Sequence, residues 1–197
     1  MQLKRYTGYI IGGILVLLGL FTIVTYNALV KKEESINNKW ANVQASYQRR
    51  LDLIPSLVNV VKGVSNFEQS TFEKIATARA DAMRSLVTTN VTSESINRQE
   101  RLQDTMAAAA NRVIIAIEKY PTLKGTDAYA GLQTQLEGTE RRIKFARNEF
   151  NTAVNEYNNK VRAFPSNMLA AIFGFKQKDG FVADAGTDKS VEINFKK

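Results

Sequence analysis

A chain of 197 residues with a net charge of +8 is long enough for one domain of ordinary size beside a short N-terminal segment. It contains no histidine and no cysteine, which excludes imidazole bases, Ser-His-Asp and Cys-His arrangements, HExxH and Cys/His zinc sites, disulfides and lipidation on cysteine. Its basic residues are interleaved with acids, as in Arg98-Gln99-Glu100-Arg101, a pattern of solvated surface that gives no ground for nucleic acid as a partner.

The first element is a membrane span. No charged residue stands between Arg5 and Lys31, and Tyr9 to Val24 is almost wholly apolar, while a helix needs only about 20 residues to cross a hydrocarbon core. A cleaved signal has an apolar region of about 7 to 15 residues and a small-residue cleavage site. Tyr26-Asn27-Ala28-Leu29-Val30 offers no such site, so the segment reads as an uncleaved single-pass anchor, with a buried soluble helix as the alternative. The expected organisation is a tail and transmembrane helix over 1–30, a helical bundle over 31–164, an amphipathic membrane-proximal segment over 165–175 and a C-terminal tail over 176–197.

The next four elements are helices. Ile36, Trp40, Val43, Tyr47, Ile54, Val58 and Val61 recur at three- and four-residue steps, with Arg50 interrupting where Leu51 can substitute. Pro55 lacks a donor and clashes with the preceding turn, which predicts a bend and not a stop. Gly63 and Ser65-Asn66 mark a stop and a new cap, and a second helix follows over about 67–87 on Phe67, Thr71, Ile75, Ala78, Ala82 and Leu86. Ser93 is the expected cap of a third helix reaching Tyr120, with Leu102, Met106, Ala109, Val113, Ala116 and Tyr120 as its seam and Pro121 fixing its end. Thr126 or Asp127 caps the fourth, whose row is Leu132, Leu136, Thr139, Ile143, Ala146, Phe150, Ala153, Tyr157, Val161 and Phe164. Such spacing predicts coiled-coil-like packing of long helices. The fold class is therefore all-α: a single N-terminal transmembrane helix continuing into an antiparallel four-helix bundle.

Up-down-up-down parity returns the fourth helix to the bilayer. Beyond it, Met168, Leu169, Ile172 and Phe173 share an apolar face too short to span, following Pro165 at a first helical turn. The segment reads as an interfacial helix, with Lys176 and Lys178 meeting lipid headgroups, or else as a plug for the open end of the bundle. The alternation of Val191, Ile193 and Phe195 allows a short strand or a mobile terminus.

The polar constellations are few. Arg49, Arg50 and Asp52 precede Pro55, whose kink frees carbonyls that guanidinium groups can satisfy. Glu140 and Arg147, seven residues apart on the fourth helix, are placed to answer Arg50 and Asp52 across the bundle, either as a buried ion network that sets register or as a docking surface. Glu137 and Glu140 have an i, i+3 carboxylate spacing, but without histidine they cannot build the di-iron Glu-x-x-His motif, so no metal or cofactor is expected. Asn151, Tyr157, Asn158 and Asn159 are unusual inside a helix and suit an inter-subunit seam, a bound peptide, caps or polar core contacts. Trp40 is the expected core anchor near the membrane end.

Several segments resemble the LemA family of bacterial membrane-anchored proteins: Tyr26-Asn27-Ala28-Leu29-Val30, Trp40-Ala41-Asn42-Val43, Tyr47 through Val58, Val61-Lys62-Gly63, Tyr120-Pro121-Thr122-Leu123-Lys124, Tyr157-Asn158 and Phe164-Pro165-Ser166-Asn167. The chain departs from the family's pattern at Ser56, where Asn is usual, and at Val64-Ser65-Asn66, where a tyrosine-containing stretch is usual. The resemblance implies a four-helix bundle on one anchor and no established enzymatic reaction. It also implies association with membrane processes, envelope proteases or, in a magnetosome-linked relative, formation of an internal membrane compartment. Flanking charges (Lys4 and Arg5 against Lys31, Lys32 and Lys39) leave orientation open. Relatives with a lipoprotein signal in place of the span favour a bundle outside the cytoplasm. The expectation is a non-enzymatic, single-pass scaffold or adaptor of the bacterial cell membrane that contacts lipid and forms a homo-oligomer; the alternative is a regulatory or sensory subunit with a defined envelope protein partner, a membrane protease or a ligand.

Overall fold

The computed structural model describes residues 3–62, 69–86, 91–117, 120–121 and 126–182. Among them run α1 (Leu3–Lys62), α2 (Gln69–Leu86), α3 (Ser93–Ile117), α4 (Asp127–Arg162) and α5 (Ser166–Phe173), with no strand among the described residues. The alternation expected at Val191, Ile193 and Phe195 lies outside them, as do Gly63, Ser65, Asn66, Phe67 and Val87.

The 60 residues of α1 correspond to a rod of about 90 Å at 1.5 Å per residue. Its apolar side chains from Tyr9 to Val24 are left largely uncovered, and packing begins at Thr25 and Leu29. An unburied apolar stretch of this length has the dimensions of a membrane span. The same helix then continues into the bundle as a stripe of buried residues, Ile36, Trp40, Val43, Tyr47, Arg50, Ile54, Leu57 and Val61. Val58, expected in that stripe, is half-buried beside it.

Helix pairing follows a heptad step. Lys32 pairs with Glu156 and Lys39 with Glu149, so seven residues up α1 match seven residues back along α4. On the other flank Gln44 Nε2 donates to Leu86 O (3.1 Å) and Arg79 Nε to Leu51 O (2.9 Å), again seven against seven, which sets α2 antiparallel to α1. Arg50 beside Gln103 and Arg147 beside Glu100 place α3 between them. The four helices alternate in direction, as expected.

Pro55 lies inside α1 without ending it. Proline at this position cannot donate to Leu51 O, four residues earlier, and the freed carbonyl accepts Arg79 Nε from α2. The sequence expectation assigned that task to Arg49 or Arg50. It falls to Arg79 because α2 crosses α1 at this level.

The ends of the helices differ from expectation by small, explicable amounts. Thr92, not Ser93, caps α3: its Oγ1 accepts from Ser95 N (3.1 Å) while Ser95 Oγ accepts from Thr92 N (2.9 Å), a reciprocal box with serine in the usual Glu/Gln place. Ser93, released from the capping role, donates instead to Asp179. Thr126 caps α4 by accepting from Tyr129 N. That helix stops at Arg162, and Phe164 is 81% exposed instead of closing the core row. Ser166 Oγ shares its one O–H between Lys160 O and Ala163 O, 2.8 and 2.9 Å away, at the terminal carbonyls where the chain turns away. On α3 the buried stripe is Ile96, Gln99, Gln103, Met106, Ala110, Val113 and Ile117, and the helix ends before Tyr120. Met106 and Val113 are buried as expected, while Leu102, Ala109 and Ala116 lie half-buried at the edge and Gln99, Gln103, Ala110 and Ile117 complete the stripe, because the fold accepts two glutamines in the interior.

The core is divided in two. A membrane-proximal cluster joins Leu29, Trp40, Val43 and Tyr47 to Phe150, Ala153, Tyr157 and Val161, and a distal one joins Ile54, Leu57 and Val61 to Ile75, Met106, Val113 and Leu132. Between them lie four buried polar side chains, Arg50, Gln99, Gln103 and Thr139. The 18 residues of α2 reach about 27 Å, enough to cover only the distal half. In the proximal half, α5 and the extended segment 174–182 occupy the place α2 leaves, through Ala170, Phe175 and Phe181.

Candidate functional site

Arg50 occupies a core position of α1 and is only 6% exposed. Its Nη2 pairs with Glu140 on α4, as expected, and Nη1 lies 3.4 Å from both Gln103 O and Gln103 Oε1 on α3. The Glu140 side chain is 55% exposed, so the pair runs from the interior to the rim. Arg50 Nε, Gln99 Nε2 and Gln103 Nε2 are buried with no acceptor among the described residues, and Thr139 Oγ1 donates back to Gln135 O (2.9 Å). Three helices thus meet in a donor-rich layer between two apolar clusters.

The other members of the expected network lie elsewhere. Asp52 is exposed and accepts from Gln48 Nε2 (2.8 Å) on its own helix, so it does not face Arg147. Arg147 instead pairs with Glu100 of α3 and sets its guanidinium 4.3 Å from the Phe181 ring centroid. Glu100 lies in the interleaved Arg98–Arg101 stretch, which reads as surface because all four of its residues are polar or charged. Arg49 is exposed on a separate α1–α4 face beside Arg141, Arg142 and Phe145, the last 67% exposed. Burial pushes the Tyr47 phenol up to about 12, against the opposing pull of Arg147 and Arg50. A cleft of about 520 Å³ opens here, lined by Tyr47, Arg50, Gln103, Glu140, Arg147 and Phe181 among others.

The unusual asparagines of α4 hold a peptide, and it is the chain's own. Asn158 Nδ2 donates to Lys178 O (2.8 Å) while Lys178 N donates to Asn158 Oδ1 (2.9 Å). Asn151 Nδ2 donates to Phe181 O (3.1 Å) while Phe181 N donates to Asn151 Oδ1 (2.8 Å). Each carboxamide therefore satisfies both main-chain groups of one residue, as a neighbouring strand would. The spacing explains the match: seven helical residues rise about 10.5 Å and three extended residues about 10 Å. Tyr157 Oη adds a bond to Lys176 O (3.0 Å), and burial raises that phenol to about 12. Phe181, 8% exposed, enters between Trp40 and Phe150 with ring centroids 6.0 and 5.5 Å away. Glu33 of α1 holds Lys178 (2.9 Å), and Ser93 of α3 donates to Asp179. A side chain on Gly180 would bring Cβ to 2.6 Å from Asn151 Oδ1, which explains glycine at that rung. Asn159 points to solvent and takes no part.

At the membrane end, α5 buries Ser166 and Ala170 and half-buries Leu169, while Met168, Ile172 and Phe173 remain exposed. Tyr26 of α1 packs edge-on to Phe173 and Phe175 (5.1 and 5.7 Å). One face of α5 thus closes the bundle while the other presents apolar side chains beside Phe164. Lys176 is exposed, whereas Lys178 turns to Glu33. Among the described residues no three carboxylates converge on a common point, and Glu137 only receives Gln133 Nε2 (3.3 Å).

Compared with known proteins, residues 39–195 match the model of the LemA family, a range that takes in the polar layer, the asparagine clamp and α5. Magnetosome protein MamQ of Magnetospirillum gryphiswaldense is 28% identical over 177 residues, and MamQ 1 of Paramagnetospirillum magneticum 26%; each match covers 81% of this chain and 65% of the relative. Protein LemA of Metamycoplasma hominis is 26% identical over 144 residues, covering 73% of this chain and 63% of that protein. The chain therefore spans a little under two thirds of the length of these relatives.

Proposed function

The chain belongs to the LemA family, and from that premise we propose that it is a non-enzymatic, membrane-anchored scaffold or adaptor that self-assembles at the bilayer surface of the bacterial envelope. The observation that carries the reading is the pairing of two apolar surfaces at one end of the molecule: the uncovered Tyr9–Val24 stretch of α1, and the outer face of α5 with Met168, Ile172 and Phe173. Tyr26 joins them through its ring contacts to Phe173 and Phe175. Helix α5 then lies in the interface as a second contact, and the bundle stands on the extracytoplasmic side. In this reading Arg50, Glu140 and Arg147 hold the bundle in register. The magnetosome names of the MamQ relatives are in keeping with a role at a membrane.

Mass measurement of detergent-extracted protein tests self-assembly: multimers are expected, and a monomer at high concentration would defeat the scaffold. Protease added to intact spheroplasts should cut the bundle. Asp substitution of Ile172 and Phe173 in a chain released from its anchor by deletion of residues 1–24 should abolish binding to anionic vesicles.

A regulatory or sensory subunit is the second reading, and one surface favours it. Phe145 stands exposed among Arg49, Arg141 and Arg142, a combination suited to an acidic protein partner. Crosslinking followed by peptide identification separates the two readings, since a homomer returns only this chain.

A further inference from the structure

The clamp on α4 recognises main chain. Asn151, Tyr157 and Asn158 share five hydrogen bonds with backbone groups of Lys176, Lys178 and Phe181, three donated by the side chains and two by the main-chain N–H of Lys178 and Phe181. Only Phe181 enters a pocket, while Lys176, Gln177, Asp179 and Val182 remain exposed. None of these contacts depends on which copy of the chain supplies the segment. A pivot also stands at its root: Gly174 has φ 78 and nothing within 4 Å of where a Cβ would sit.

We propose that the clamp exchanges its occupant between copies, so that residues 176–182 of one chain seat on Asn151 and Asn158 of a second. This rests on the self-assembly reading and gives it a mechanism. Every contact broken within a chain is remade between chains, so the balance is set by effective concentration and by the conformation of the connecting residues. Anchored chains have their clamps at one height above the bilayer and in one orientation. The first residue held by a carboxamide, Lys178, stands four steps from Gly174, which at about 3.3 Å per residue reach roughly 13 Å, about the 10–12 Å diameter of one helix. That suffices for a copy whose groove faces this one.

The absence of cysteine makes the test direct. Ser93 and Asp179 touch across the groove, so full-length chains carrying Ser93→Cys and Asp179→Cys are co-expressed with different tags and oxidised in their membranes. A disulfide-linked pair bearing both tags is expected, falling at least fivefold when Asn151→Ala and Asn158→Ala are added or when Phe181→Ala is used instead. A chain carrying both cysteines closes on itself and shows that the bond can form. Closure within that chain without any two-tag product overturns the exchange, as does a two-tag product indifferent to both clamp variants. Amine crosslinking of the cysteine-free parent separates the two ideas: multimers without a two-tag disulfide leave the scaffold standing and remove the exchange, while absence of multimers removes both. Cooperative melting of each clamp variant well above the temperature of crosslinking shows that lost crosslinking reports the groove and not the fold.

Discussion

Arg50 sits where the three-four spacing of α1 calls for an apolar side chain, and its guanidinium leaves one buried N–H without an acceptor. A buried pair of this kind is weak support for stability, whereas deleting one partner leaves polar groups stranded. Arg50→Ala should therefore cost about 2 kcal/mol in urea unfolding, combining a cavity with the exposed need of Gln103. Arg50→Met, which fills the space with apolar atoms, should match or exceed the parent's stability. Tyr47 and Tyr157 are phenols raised from 10.0 to about 12 by burial. The folded state holds these protons more tightly than the unfolded one, so their contribution is complete below pH 10, declines between 10 and 12 and is gone above 12. Melting temperature measured from pH 9 to 12 should fall across that interval, and Tyr157→Phe should make the fall shallower.

At the scale of the helix, Pro55 and Arg79 form a compensated pair, one removing a donor from Leu51 O and the other replacing it. Arg79→Ala should cost about 1 kcal/mol in the parent and clearly less in a Pro55→Ala background, where the backbone N–H returns; a double-mutant cycle by urea unfolding measures the difference. Thr92→Ala should cost about 1 kcal/mol through loss of the α3 cap, read in the same way. Much at this scale was legible beforehand. Repeated three-four spacing marked α1 through α4, Thr126 marked a cap, and Arg50 with Glu140 marked a cross-bundle pair. The rest is hidden for one reason: a polar side chain reads as solvent-facing, which conceals Gln99 and Gln103 in the α3 stripe and Glu100 beside them. Pro55 revealed that a carbonyl was freed, but the cation that reaches it comes from a helix whose crossing point no local pattern encodes. The asparagines were conspicuous on α4, yet their partner segment has no periodicity to announce it.

Considered as a whole, the molecule is a two-storey bundle completed from its own C-terminal side: among the described residues helices fill the distal half, while the proximal half relies on α5 and the segment through Phe181. Trp40 is the only tryptophan and packs against Phe181. A chain ending after Gly174 should expose its indole, shifting emission to longer wavelength by roughly 5–10 nm, and should lose about 2 kcal/mol from the unburied phenyl ring. Emission spectra and urea titration check the two effects separately.

Helix α1 passes from the uncovered apolar stretch to the far tip of the bundle without a break. Roughly 30 residues beyond Val30 make an arm of about 50 Å, so a tilt of about 20°, common for membrane helices, displaces the tip sideways by about 17 Å. Because a span accommodates hydrocarbon thickness partly by tilting, a change of a few degrees at the bilayer is magnified along the arm, so the position of the distal tip depends on the membrane beneath it.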